Sequence, residues 1–306
     1  MIEIDQLNKK FGDISAVNSL NLSIKQGEIF GIVGPDGAGK STLLRMMASI
    51  LKPESGTIFI KGSNVFDNPF TTKENLAYMP QQFGLYEDLT VQENIHFFGK
   101  LFGISTKEIN HRIVRLYEFS NLEPFRDRLA GKLSGGMKQK LGLACCLIHS
   151  PSLLLLDEPT NGVDPVSRRE FWKILYDLLT ESVTIVVTTA YLDEAERCNR
   201  IAFLYAGEII KLGEPKSIRG SLGRTMIEII SHDSRRAEMQ LNDSSKVGSI
   251  IRSGNSLKLF TDNPQKTIIF LKKFFASKKL HYESIRVALP TLEDSFIQII
   301  SGERTR

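Results

Sequence analysis

The chain has 306 residues, 42% of them apolar and 24% charged, and a net charge of +4. Those proportions fit folded domains with a buried core, and so mild a charge, with no concentrated basic stripe, argues against a nucleic-acid partner. Cys145, Cys146 and Cys198 lack metal-ligand spacing and are odd in number, so reduced core or helix cysteines are expected rather than a disulfide framework.

At the N-terminus, Met1 to Asp5 carries no basic segment and no long apolar core, so no signal peptide is expected. Residues 2–7 and 19–25 alternate apolar and polar positions and read as strands. Between them stands Lys9-Lys10-Phe11-Gly12. An aromatic before a glycine turn is either a core plug or a platform for a purine ring; read alone, Phe11 fits the plug better. Residues 28–33 then read as a short buried strand, and residues 43–51 as a helix stopped by Pro53. Between strand and helix lies Gly34-Pro35-Asp36-Gly37-Ala38-Gly39-Lys40-Ser41-Thr42, which fits G-x-x-x-x-G-K-[ST] in full. Strand, glycine loop and helix in this order form a P-loop. Its glycines let backbone N–H groups turn inward around a phosphate, and the helix N-terminus adds its own. Lys40 can reach the β- and γ-phosphates, and the Ser41 hydroxyl can hold Mg²⁺. A nucleoside triphosphate site is expected.

Residues 56–62 form another glycine-bounded strand, and residues 76–82 a strand ending in the polar pair Gln81-Gln82. Gln81 is either a solvated loop residue or a group that feels both Mg²⁺ and the water beside it. From 91 to 149 the pattern turns helical, with apolar residues three and four apart, as in an insertion between two halves of an α/β core. Inside it, Ser134-Gly135-Gly136 opens a helix. That is either a plain N-cap or a second anion cradle, and local physics does not choose. Next, Leu153 to Leu156 makes a buried parallel strand that ends in Asp157 and Glu158. Ligands of such sheets bind at that end. Asp157 would complete the Mg²⁺ shell as a Walker B aspartate does, and Glu158 would polarise the attacking water. Residues 184–189 and 201–205 are further buried strands. No run approaches the roughly 18 apolar residues of a membrane helix.

The glycine loop at 34–42, Leu133-Ser134-Gly135-Gly136-Met137, and Leu153 to Glu158, in that order, resemble the ATP-binding subunit of ATP-binding-cassette (ABC) transporters over roughly residues 1–220. The resemblance implies a P-loop NTPase fold: a RecA-like core, an antiparallel β subdomain and the helical insertion at about 91–149. It implies an ATPase whose ligands are ATP and Mg²⁺. It implies that Phe11 stacks on adenine, that Gln81 is the Q-loop glutamine acting with Lys40 and Glu158, that Asp164 lies in the D-loop, and that Ser41, Gln81 and Asp157 serve the metal. Two such domains pair head to tail, each ATP held between one P-loop and the other chain's Ser134-Gly135-Gly136. Integral membrane permease subunits complete the assembly at the cytoplasmic face of the membrane. Gly84 to Asn94 and Pro290 to Phe296 resemble the branch that exports drugs, lipids or polysaccharides. One position departs: Ala190 stands where the family has a γ-phosphate-contacting histidine, which implies a slow or degenerate site of this chain's own.

Residues 224–306 read as a separate accessory domain, βαββαβ and ferredoxin-like, with a hairpin of strands Val247 to Arg252 and Ser256 to Thr261 and a final helix. Lys266, Lys272, Lys273, Lys278 and Lys279 cluster around its second helix and read as a solvated face. The competing function is a soluble ABC-type ATPase or regulator acting on a machine such as the ribosome; one P-loop and no heptad run favour the transporter subunit.

Overall fold

Apolar runs without alternation mark strands buried on both faces. In the computed structural model, which describes residues 1–67, 69–220, 224–242 and 250–303, Ile29–Val33 is such a strand, buried at every residue. It lies inside a six-stranded sheet in the order Glu208–Gly213, Arg200–Tyr205, Ile29–Val33, Thr184–Thr189, Leu153–Asp157, Leu76–Met79. Every neighbouring pair is parallel except the one at the Glu208–Gly213 edge. Three fully buried strands thus release the chain on one side of the sheet, at Gly34, Glu158 and Ala190.

An antiparallel sheet in the order Ile14–Ile24, Ile2–Phe11, Ser55–Ile60, Ser63–Asn64 makes the second layer. Its Ile2, Leu7, Leu20 and Ile24 share a core with Phe30, Leu43 and Met47. The expected break between residues 7 and 19 is absent: one hairpin turns at Gly12. Register shifts along it, with Gln6 and Ser19 at φ of 45° and 42°, interrupt the two-residue period that marks a strand.

The insertion holds helices Val91–Leu101, Thr106–Ser120 and Gly135–Leu147, each begun by a hydroxyl cap at Thr90, Ser105 and Ser134. Asn94 is fully buried and fixes the loop before the first helix, donating to the carbonyls of Tyr86, Leu89 and Thr90 and accepting from the Tyr86 amide. The three cysteines are free and buried, and burial pushes the Cys146 thiol up to about 12.

The chain divides into Met1–Glu214 and Pro215–Arg306. The division falls before the expected 220–224, because helix Pro215–Gly220 packs on helix Leu292–Glu303 of the second unit. That unit has a sheet in the order Ile250–Ser253, Ser256–Thr261, Thr225–Ile230, Ser284–Ala288, antiparallel throughout. Helices Ser234–Asn242 and Pro264–Ser277 bring Leu241, Leu271 and Phe275 to Ile227, Ile229, Leu257 and Leu259. Residues 243–249, where the expected strand from Val247 begins, lie outside the described residues.

Candidate nucleotide site

The loop after Ile29–Val33 is built from glycines for steric reasons. Gly39 has φ of 104°, and a Cβ there would sit 2.1 Å from the Ala16 carbonyl oxygen; at Gly34 it would sit 2.2 Å from that of Leu204. Ala38 is buried, while the Asp36 side chain is 96% exposed. Pro35 accepts from the Ala38 amide and closes the turn. Lys40 opens helix Lys40–Met47, followed by Ser41 and Thr42, and is only 4% exposed. Its ammonium donates to the carbonyls of Gly34 at 2.9 Å and Pro35 at 3.1 Å. It also meets Glu158 Oε1 at 3.0 Å and, more distantly, Asp36 at 3.8 Å.

Parallel pairing of Leu153–Asp157 with Thr184–Thr189 puts Asp157 opposite Thr188. Asp157 Oδ1 accepts from Ser41 Oγ at 2.9 Å and Thr188 Oγ1 at 2.8 Å, and Oδ2 from the Tyr78 hydroxyl at 3.3 Å. Burial, then the charge of Asp157, raises the Tyr78 phenol above its ordinary value. Glu158 has φ of 48°, a conformation that costs a non-glycine residue about 1 kcal/mol. Its amide donates to Thr188 Oγ1 at 2.9 Å, and its carboxylate accepts from Gln81 Nε2 at 3.2 Å.

Lys40, Ser41, Gln81, Asp157 and Glu158 are therefore one cluster. No contact among the described residues joins Phe11 or Ser134 to Gly136 to it. Phe11 is no core plug: it is 50% exposed at the end of its strand, with the Lys9 ammonium 5.5 Å from its ring centre. Ser134 caps its helix by accepting from the Met137 amide at 3.3 Å. A Cβ on Gly136 would lie 2.4 Å from Ser167, whereas one on Gly135 would meet nothing. Asp164 caps helix Pro165–Thr180 through the amides of Val166 and Ser167, and the Ser167 bonds hold its carboxyl below the usual range. Ala190 is exposed directly after Thr184–Thr189.

The sequence assigns no role to Tyr78, Thr188 or Glu194. Glu194 is 1% exposed and accepts from the hydroxyls of Thr160 and Thr189, with Arg168 beside it at 3.4 Å. For Thr188 the available signal was a pair of threonines closing a buried strand.

The residues fit an Mg²⁺-bound triphosphate. No Cβ could stand at Gly34 or Gly39 in this backbone, the Lys40 partners are ones an anion can displace, and Ser41 with Asp157 offers the hard oxygen donors Mg²⁺ takes.

The sequence profile of the ABC transporter family matches residues 17–161. The chain is 40% identical over 315 residues to the "Probable multidrug ABC transporter ATP-binding protein YbhF" of Escherichia coli (strain K12), covering all of this chain and 53% of that protein. It thus spans about half the length of that relative. It is 36% identical to the "Nod factor export ATP-binding protein I" of Rhizobium sp. (strain N33), covering 99% of this chain and 97% of the relative. Among solved structures, the dimeric bacterial cassette MJ0796 matches with 30% identity and a TM-score of 0.64 over 70% of this chain and 98% of that one. The same cassette in a post-hydrolysis state with ADP and Pi matches at 29% and 0.64, covering the same shares. From fold, cluster and relatives together, the chain belongs to the ATP-binding cassettes of the ABC transporter family, a family of ATPases.

Proposed function

We propose that this chain binds Mg-ATP at its glycine loop and hydrolyses it to power a membrane exporter through a separate permease chain. The observation that carries the reading is the meeting of Lys40, Ser41, Asp157, Glu158 and Gln81 beyond the ends of three parallel strands. Mg²⁺, when bound, neutralises charge on the transferred phosphate. Lys40 holds the phosphates, the loop from Gly34 to Thr42 wraps them with backbone N–H groups, and Ser41, Asp157 and Gln81 face the metal. Glu158 takes the proton of the attacking water, and exposed Phe11 receives the adenine.

Ser134, Gly135 and Gly136 serve ATP held by a second cassette, head to tail. The dimeric neighbour supports this. The permease docks on an apolar groove of about 260 Å³ lined by Ile50, Phe83, Phe98, Leu101, Phe102 and His149, at the cytoplasmic face of the membrane. Ile50 and Leu101 are 57% and 68% exposed, and Tyr86, 48% exposed, lies beside it on Phe97. Among the described residues no helix is long and apolar enough to cross a membrane. The names of the relatives support export.

Co-purification tests the reading: a permease should travel with the chain, and Glu158→Gln should abolish turnover while trapping an ATP-bound dimer. Ribosomes in place of a permease would overturn it.

The exposed methyl of Ala190 makes this chain's own site slow, because it cannot donate to the γ-phosphate. A charge-assisted hydrogen bond is worth about 1.5–3 kcal/mol, so Ala190→His should raise steady-state hydrolysis about tenfold or more with the partner present. No gain would remove the slow-site reading.

A further inference from the structure

The residue after Ala190 makes a chain of contacts that leads to Glu158. The Tyr191 hydroxyl donates to Asn161 Oδ1 at 3.3 Å. Asn161 Nδ2 donates to Glu158 Oε2 at 3.3 Å, the oxygen that also accepts from Gln81. An amide can serve both neighbours only in this orientation, oxygen to the hydroxyl and nitrogen to the carboxylate. The Asn161 backbone amide donates to the Glu158 carbonyl at 3.1 Å, so a tight turn folds the asparagine back over its own strand end. Tyr191 is in turn held by two further contacts. Its amide donates to Thr189 Oγ1 at 2.9 Å, its ring faces the Arg168 guanidinium at 4.6 Å, and Arg168 leans on buried Glu194.

We propose that Tyr191 is a positioning residue for hydrolysis, acting through Asn161 to hold the Glu158 carboxylate, and that it does not stand in for a phosphate-contacting histidine at 190. The proposal rests on the reading of Glu158 as the general base. Glu158 needs such a holder. Its backbone is in the left-handed region, and its Oε1 is engaged by Lys40, whose place in the working site is with the phosphates. Both donors left on Oε2, Gln81 and Asn161, are exposed, and Asn161 is fixed by both the turn and Tyr191. The tyrosine hydroxyl has one proton to donate, and that proton is committed to Asn161.

The test uses the full chain with its partner, comparing wild type, Tyr191→Phe, Asn161→Ala, the double variant and Glu158→Gln. Loss of one neutral hydrogen bond predicts that Tyr191→Phe lowers kcat about five- to tenfold, with the Kd and KM for ATP within about twofold of wild type. Asn161→Ala should lose at least as much, and the double variant no more than Asn161→Ala alone. Melting without nucleotide gives a second readout: the double variant should share the Tm of Asn161→Ala. Additive losses in kcat or Tm would overturn the linkage. Weakened ATP binding in Tyr191→Phe with kcat retained would make the tyrosine a phosphate ligand instead. Unchanged kcat in Tyr191→Phe beside a dead Glu158→Gln would overturn this proposal and leave the base intact. Turnover retained by Glu158→Gln would remove the base reading, and this proposal with it.

Discussion

Lys40 and Lys258 are both turned inward on their own units, and their partners differ in kind. Lys40 meets two peptide carbonyls and Glu158, with Asp36 more distant, beside a loop that excludes a Cβ at Gly34 and Gly39. Lys258 meets both oxygens of Asp294 at 3.0 Å; Asp294, 3% exposed, also accepts from the Thr291 amide and hydroxyl at the start of helix Leu292–Glu303. The first lysine has partners that a phosphate can replace. The second completes a closed pair in which every oxygen is already served. Burial of a cation therefore marks a site only when its partners are exchangeable.

Breaking the second pair should cost stability and nothing else. Lys258→Met leaves a buried carboxylate with only its Thr291 donors, a loss of about 2 kcal/mol in unfolding free energy of the second unit. Chemical denaturation reads that loss, and ATP affinity should not move. A fall in affinity would erase the distinction between the two lysines.

A smaller effect is expected from His149, a basic side chain that burial keeps neutral. Its ring stacks on Phe102 at 3.8 Å, with Nε2 3.2 Å from the Leu76 carbonyl oxygen. Burial lowers its pKa from the ordinary 6.5. The unfolded chain then binds the proton more tightly than the folded one. The stability it contributes is complete above 6.5 and is lost as pH falls through the lower folded value. The stability gap between wild type and His149→Gln should shrink between about pH 7.5 and about pH 5.5. A gap that stays constant across that range would mean the ring does not titrate differently on folding.

The glycine loop, the Asp157-Glu158 strand end and the three insertion helices were legible because each is a local pattern. Spacing, an apolar run and a cap all live within one stretch of chain. Thr188, Tyr78 and Asn161 were not. They reach Asp157 and Glu158 only because strand order sets Thr184–Thr189 and Leu76–Met79 on either side of Leu153–Asp157, or because a turn reverses at residue 161. The plug reading of Phe11, made from local sequence alone, failed for the opposite reason. An aromatic before a glycine turn suggests a core plug, yet the hairpin places it at the last pair of its ladder, opposite Ile14, where it is half exposed. The unit boundary moved because Pro215–Gly220 packs on a helix more than 70 residues later, which no local signal encodes.

The central claim is that Lys40 exchanges its present partners for the phosphates of ATP. Equilibrium titration of Mg-ATP into wild type, Lys40→Ala and Glu158→Gln tests it most directly. Lys40→Ala should weaken binding by more than about tenfold, at least about 1.4 kcal/mol, because one charge leaves the phosphates. Glu158→Gln should bind as tightly as wild type or more tightly, since Lys40 loses a competing carboxylate. An unchanged affinity in Lys40→Ala would contradict the account.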